Sequence, residues 1–246
     1  MKVGVYVDAY NLYYGGRSFC GRGTSGWRWL DVRALAESLC GWQGATVARV
    51  VYCTARVDPN DDQSAYTDQD IYLKALKAHG SIDALQLGRY VAWPKRAPLA
   101  VKKPNGKAEL LVPDGTESWT SSLPISLERN PKVPAGMLLA TVRMREEKGS
   151  DVNVATHLLA DVLTNQVDGA IVISNDSDLA LPLEIARTFV PVGTVNPGDK
   201  PLAGALRGLK TDGPGRHFWA QLSPKHYQDN QLPETVAARW TKPADW

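Results

Sequence analysis

Residues 167–179, Val-Asp-Gly-Ala-Ile-Val-Ile-Ser-Asn-Asp-Ser-Asp-Leu, decide the reading of the fold. The apolar run Ala170, Ile171, Val172, Ile173 has the composition of a strand buried on both faces, as in a parallel sheet. It breaks at once into Ser174, Asn175, Asp176, Ser177 and Asp178, a polar turn that places two carboxylates at the strand's carboxyl end. In open α/β sheets that end is where ligands bind.

Working outward, the same alternation recurs. Residues 3–7 are a short β-rich run that stops at Asp8 and reads as the first, central strand, with a loop carrying Asn11 at its tip. Residues 30–40 have helical spacing with Asp31 as cap. Residues 47–54 read as a second inner strand, and residues 63–79 as a helix ended by Gly80. Residues 82–91 give a third strand. Residues 137–144 return to strand composition, and residues 151–163 form an amphipathic helix with Ser150 as its natural cap and Asp151 in the first turn. After the opening stretch come a helix over 178–189, a strand over 190–195 and a short helix over 201–209; residues 217–222 suit an edge strand. Repeated β-then-α alternation predicts an α/β, three-layer, Rossmann-like fold with a central parallel sheet and flanking helices.

The organisation expected is one domain over residues 1–210, an insertion at about 92–136, and a C-terminal extension over 211–246 packed on the domain. The insertion is marked by Pro94, Pro98, Pro104, Pro113, Pro124, Pro131 and Pro134, and by a length uncommon for a structureless connection. It also carries charge: Arg89, Lys95, Arg96, Lys102, Lys103 and Lys107 fall between residues 84 and 108 without an acid, a segment able to face a phosphate backbone.

With 246 residues the chain can bury a sizeable core, and with 43% hydrophobic residues and no long apolar run it is expected to be cytoplasmic, without membrane association. A net charge of +2 is not that of a polycation coating nucleic acid. Cys20, Cys40 and Cys53 lack CxxC spacing, and the four histidines form no ligand pair, so a structural zinc site is not indicated.

Four carboxylates converge in this arrangement: Asp8, Asp151, Asp176 and Asp178. The carboxyl ends of parallel strands and the amino ends of the following helices share one rim, and like charges gathered there are unfavourable unless a cation compensates them. Oxygen ligands suit Mg²⁺ or Mn²⁺.

The set of motifs VYVDAYNLYYGGR, EKGSDVNVATHLLADVL and DGAIVISNDSDLALPLEIA resembles the NYN domain, a branch of the PIN-like nuclease superfamily that includes bacterial LabA-like proteins. The resemblance implies a PIN-like fold and a Mg²⁺- or Mn²⁺-dependent ribonuclease, an endonuclease hydrolysing RNA phosphodiesters, with transfer RNA and messenger RNA both open as substrates. It assigns Asp8, Asn11, Asp151, Asp176 and Asp178 to catalysis, the four aspartates to the metal, and Ser174 and Ser177 to hydrogen bonding beside them. Where many members carry an acid six residues after the position of Asp151, this chain has His157, which reads better as a hydrogen-bonded core or rim histidine than as a ligand. Tyr10, Tyr14, Arg17 and Lys148 are the substrate-binding candidates, for base stacking and phosphate contact. A homodimer is compatible with the class, though no stretch marks one. The alternative reading is a catalytically idle NYN-type RNA-binding or regulatory module that keeps the fold.

Overall fold

The computed structural model describes residues 1–113, 122–130 and 133–246. In chain order its elements are β1 (Lys2–Asp8), α1 (Ala9–Cys20), α2 (Val32–Leu39), β2 (Thr46–Ala55), α3 (Gln63–His79), β3 (Ala84–Pro98), β4 (Ala100–Lys102), β5 (Ala108–Leu110), β6 (Ile125–Asn130), β7 (Val133–Lys148), α4 (Ser150–Leu163), β8 (Gly169–Ile173), α5 (Ala180–Phe189), β9 (Val192–Asn196), β10 (Phe218–Gln221), α6 (Pro224–Asp229), β11 (Thr235–Val236) and β12 (Trp240–Thr241). The chain divides into two compact units, Met1–Tyr90 with Glu147–Trp246, and Val91–Glu146.

The first unit is α/β. Its sheet runs β10-β9-β8-β1-β2-β3, and each neighbouring pair is parallel. From β1 the chain winds one way through β2 to β3, then returns to β8 on the other side of β1 and winds outward through β9 to β10. The carboxyl ends of β1 and β8 therefore flank a topological switch point, the crevice in which open α/β sheets bind ligands.

Period-2 alternation explains the layers. Val3, Val5 and Val7 of β1, with Ile171 and Ile173 of β8, pack into one core with Leu35 of α2 and Leu73 and Leu76 of α3. Tyr6, Ala170 and Val172 point the other way, onto Val154, Leu158 and Val162 of α4 and Leu183 of α5. All five residues of β8 are buried, as expected of a strand covered on both faces.

Helix starts are set by side-chain caps. Asp31 caps α2, its Oδ1 accepting from the backbone N–H groups of Arg33 (3.1 Å) and Ala34 (3.2 Å) and from Ser81 Oγ (2.8 Å). Gly80, at φ 75°, ends α3. Several expectations are corrected. No loop follows Asp8: α1 begins at Ala9, because Asp8 itself is the cap and accepts from Asn11 N. Ser150 does not cap α4. The capping position is Gly149, at φ 98° where a side chain would be strained, and the Ser150 hydroxyl turns back to Glu147. The helix over 178–189 starts as a 3₁₀ turn, Ser177–Leu179, and the one over 201–209 shrinks to a 3₁₀ turn at Gly204–Leu206. The tail supplies β10, parallel to β9, and Tyr227, which is buried and donates to the carbonyls of Leu12 and Pro197.

The second unit is built of antiparallel pairs, β4 with β5 and β6 with β7. Part of the insertion expected at 92–136 falls on residues 114–121 and 131–132, which lie outside the described residues. Two of its basic side chains are engaged within the unit, Arg96 with Glu128 (3.5 Å) and Lys103 with Glu109 (2.5 Å). Among the described residues no helix is long and apolar enough to cross a membrane.

Candidate functional site

The site grows from Asp8. It is the last residue of β1, 1% exposed, and opposite Cys53 of β2 in the parallel ladder. Its Oδ1 accepts from Asn11 N (3.0 Å), and its Oδ2 accepts from Asn11 Nδ2 (2.6 Å) and from Ser174 Oγ (2.8 Å). Three donors on one buried carboxylate make it the hub of the rim. Ser174 follows β8 directly, and its oxygen in turn accepts from Asp176 N (3.1 Å). Asp176 caps the 3₁₀ turn by accepting from Asp178 N (3.0 Å). Asn11 Oδ1 accepts from Asn175 N (3.3 Å), so strand ends from two directions of winding are tied together at the switch point. Asn175 also holds the loop beyond β9: its Nδ2 donates to the Pro201 carbonyl (3.1 Å), and its Oδ1 accepts from Ala203 N (2.8 Å).

Electrostatics bring in the remaining acids. Burial raises the Asp8 carboxyl above its ordinary range, against the three hydrogen bonds that favour its charged form, and Asp176 adds to the rise. Asp151, in the first turn of α4 and half-buried, is pushed up to about 6, by desolvation first and then by Asp8, Asp176, Glu147 and Asp178. Glu147 is raised by its burial and by Asp8, with the Ser150 hydroxyl opposing. The Cys53 thiol is raised to about 12 by burial, then by Asp8 and Asp151, so it is a closed, protonated group rather than a nucleophile. Asp8, Asp151, Asp176 and Asp178 thus share one field, as the sequence pattern suggests. Glu147, in the run Glu146-Glu147-Lys148, reads in sequence as a solvated charge. Only its place at the end of β7, one turn before Asp151, reveals it.

The other candidates sit as follows. Tyr10, Tyr13 and Tyr14 are exposed on the first turns of α1. The Tyr10 and Tyr14 ring centres are 4.4 Å apart, and the Arg17 guanidinium lies 5.6 Å from the centre of Tyr14. The Tyr10 phenol is raised to about 12 by its burial, by Tyr14, by Tyr90 and by Glu147, which brings this aromatic strip to the acidic rim. Ser177 and Lys148 are exposed beside Asp176 and Glu147 in the chain. His157 is not in the rim. Its Nδ1 lies 3.4 Å from Arg49, which pairs with the buried Asp161 (2.9 Å), itself accepting from the Tyr6 hydroxyl (2.9 Å).

Among the described residues no group of three His, Cys, Asp or Glu side chains is gathered closely enough to hold a metal ion. Asp8 has most of its acceptor capacity filled by protein donors. The donor set is nonetheless all oxygen and multiply acidic, and a hydrated Mg²⁺ ion needs only one or two direct carboxylates because it keeps several waters.

No protein-family model matches the chain. It is 27% identical to 6-hydroxy-3-succinoylpyridine 3-monooxygenase HspA of Pseudomonas putida, over 270 aligned residues that take in all of this chain and 75% of the relative. A solved protein of unknown function from Vibrio parahaemolyticus aligns over 94% of this chain and 96% of its own, at 15% identity and a TM-score of 0.42. The first similarity corrects the expectation of a Mg²⁺- or Mn²⁺-dependent ribonuclease: the relative is named for an oxidoreductase activity, in which electrons and oxygen move, whereas a nuclease hydrolyses a phosphodiester.

Proposed function

We propose that the rim of Asp8, Glu147, Asp151, Asp176 and Asp178 is the reaction centre of a monooxygenase for small hydroxylated heteroaromatic acids, of which 6-hydroxy-3-succinoylpyridine is the model. The fold that carries it is read as the three-layer, PIN-like arrangement that the NYN-type motifs suggest. The similarity along the whole chain supports the reaction class. The observation that carries the site is the place of Asp151, in the first turn of α4 near the buried Asp8 at the switch point, where desolvation and the neighbouring acids push its carboxyl up to about 6.

Oxygenation of such a ring places one atom of dioxygen on carbon and releases the other as water, consuming two electrons from an external reduced donor and two protons; at position 3 of the model substrate that carbon bears the succinoyl chain, whose acyl carbon leaves to a water molecule as a carboxylic acid while the ring carbon keeps the new hydroxyl. Electrophilic attack on the ring is assisted when a ring hydroxyl gives up its proton. A carboxylate whose pKa lies near the working pH suits that transfer. Asp151, ionised above about pH 6, takes the proton. Asp8, fixed by Asn11 and Ser174, lies behind Asp151 and adds to the rise that desolvation gives its carboxyl. Asp151, Asp176 and Asp178 are the residues that would hold a Mg²⁺ or Mn²⁺ ion, which would supply countercharge to the rim and to an anionic substrate.

The test supplies the purified chain with 6-hydroxy-3-succinoylpyridine, ¹⁸O₂ and reduced nicotinamide or reduced flavin, and reads the product by mass spectrometry. One ¹⁸O atom per product molecule is expected, with the rate falling on the order of 100-fold in Asp151→Asn, the usual scale for loss of a general base. Absence of incorporated ¹⁸O overturns the reading.

A second reading, an idle RNA-binding module, is favoured by the exposed Tyr10–Tyr14 pair with Arg17 over it, a stacking surface for unpaired bases. It expects RNA retention that persists in EDTA and is lost in Tyr14→Ala.

A further inference from the structure

A second feature of the first unit lies on the same rim, at the carboxyl ends of β9 and β10. An open cleft of about 660 Å³ is lined there by Pro201, Leu202, Arg207, Gly208, Trp219 and Gln221, among others. None of these residues belongs to the acidic cluster. The cleft is tied to that cluster by Asn175, whose amide holds both Pro201 and Ala203 while its backbone N–H donates to Asn11.

The lining has two chemical characters. Leu202, Pro201 and the half-buried Trp219 form an apolar, flat wall. Trp219 is locked in orientation, its indole N–H donating to the Arg207 carbonyl (2.7 Å), and a fixed indole offers stacking area at small entropic cost. The second character is positive. The Arg207 side chain is exposed in the wall, and Lys210 places its ammonium 5.5 Å from the Trp219 ring centre. Directly behind Gly208 lies the guanidinium of Arg187, 2% exposed, bonded through one terminal nitrogen to Thr194 (3.0 Å) and to the Leu206 carbonyl, with its Nε unpartnered. Asp199 is the acidic residue of the lining. Gln221 and Asn196 are occupied with the loop itself, holding the carbonyls of Gly198 and Lys200, so they shape the cleft rather than read a ligand.

We infer that this cleft is a binding site for a planar aromatic anion, stacked on Trp219 and paired through its acidic group with Arg207, next to the carboxylate rim. The cleft supplies what the rim lacks, since a cluster of acids repels an anion that a cationic, aromatic wall attracts. The assignment deepens the small-molecule reading above and rests on it for the size of the ligand. Its source is either an aromatic carboxylate or a nucleotide, which share the ring and the negative charge.

Isothermal titration of the full chain with nicotinate, with adenosine 5′-monophosphate and with cyclohexanecarboxylate tests it, without cation, dioxygen or electron donor. Saturable binding of at least one aromatic anion is expected, about tenfold tighter than the non-aromatic acid. The tighter of the two aromatic probes identifies the source. Arg207→Ala, at an exposed position, is expected to weaken binding about tenfold through loss of a charge-assisted contact, and Trp219→Leu to do the same with an unchanged circular dichroism spectrum. Absence of binding by both aromatic anions, or equal affinity in wild type and Arg207→Ala, overturns the inference. Because the titration involves no turnover, binding that persists where ¹⁸O incorporation fails counts against the reaction alone, and turnover without cleft-dependent binding counts against the cleft alone.

Discussion

Replacing Asp151 with Asn should stabilise the protein at neutral pH and leave it unchanged in acid. The folded carboxyl keeps its proton up to about pH 6, whereas a free one of ordinary pKa 3.8 loses it earlier. Between those values the folded state binds more protons than the unfolded state, so stability falls as pH rises through the window, and the loss is complete above pH 6. The full shift corresponds to about 3 kcal/mol. Asp151 is only half-buried, so solvent screening reduces this to roughly 1–2 kcal/mol. Asn removes the ionisation and keeps the shape. Thermal unfolding of the two proteins across pH 4 to 8, without divalent ions, should show the variant's advantage growing from near zero to a few degrees, at roughly 2–4 °C per kcal/mol for a domain of this size. Added Mg²⁺ should narrow the gap by stabilising the wild type. An advantage independent of pH, or a variant less stable at pH 8, refutes the repulsion argument.

Three further outcomes follow from the packing. Asp31→Ala removes the cap of α2 and leaves the Ser81 hydroxyl without its acceptor, so denaturant midpoints should report a loss of about 1–3 kcal/mol. Gly15→Ala puts a methyl 2.3 Å from the Pro197 carbonyl oxygen, backbone that cannot yield easily, and should cost roughly 1–3 kcal/mol in the same assay. Tyr6→Phe strips a donor from Asp161 but leaves Arg49 in place, so urea unfolding should show a loss of about 1 kcal/mol, smaller than the loss for Asp161→Ala.

Much of the first unit is legible in its sequence because its periodicities are strong. Residues 170–173 are apolar without interruption, and the α3 boundaries follow from Asp62, which accepts from Ala65 N, and from Gly80. The four aspartates are legible as a set because parallel topology puts them on one rim. What escaped depends on tertiary context. Asp8 reads as a free strand-tip acid, yet its position makes it the cap of α1, and the cap together with Ser174 fills most of its acceptor capacity. Glu147 is hidden in a charged run that looks solvated. The cleft at β9 and β10 is assembled from a loop with little regular structure and an edge strand about 20 residues later, a combination without a sequence period. The proposed reaction class lay further out of reach, since an acidic rim on an α/β sheet serves many chemistries.

The central claim is that the carboxylates of β1, α4 and the turn after β8 act as one electrostatic unit with Asp151 as its proton-holding member. Carbon-detected NMR titration of the Asp151 carboxyl measures this directly. A midpoint near pH 6 in the wild type, falling toward the ordinary carboxylate range in Asp8→Asn and in Asp176→Asn, is the expected result. A midpoint already near 4 in the wild type, or one indifferent to both substitutions, would contradict it.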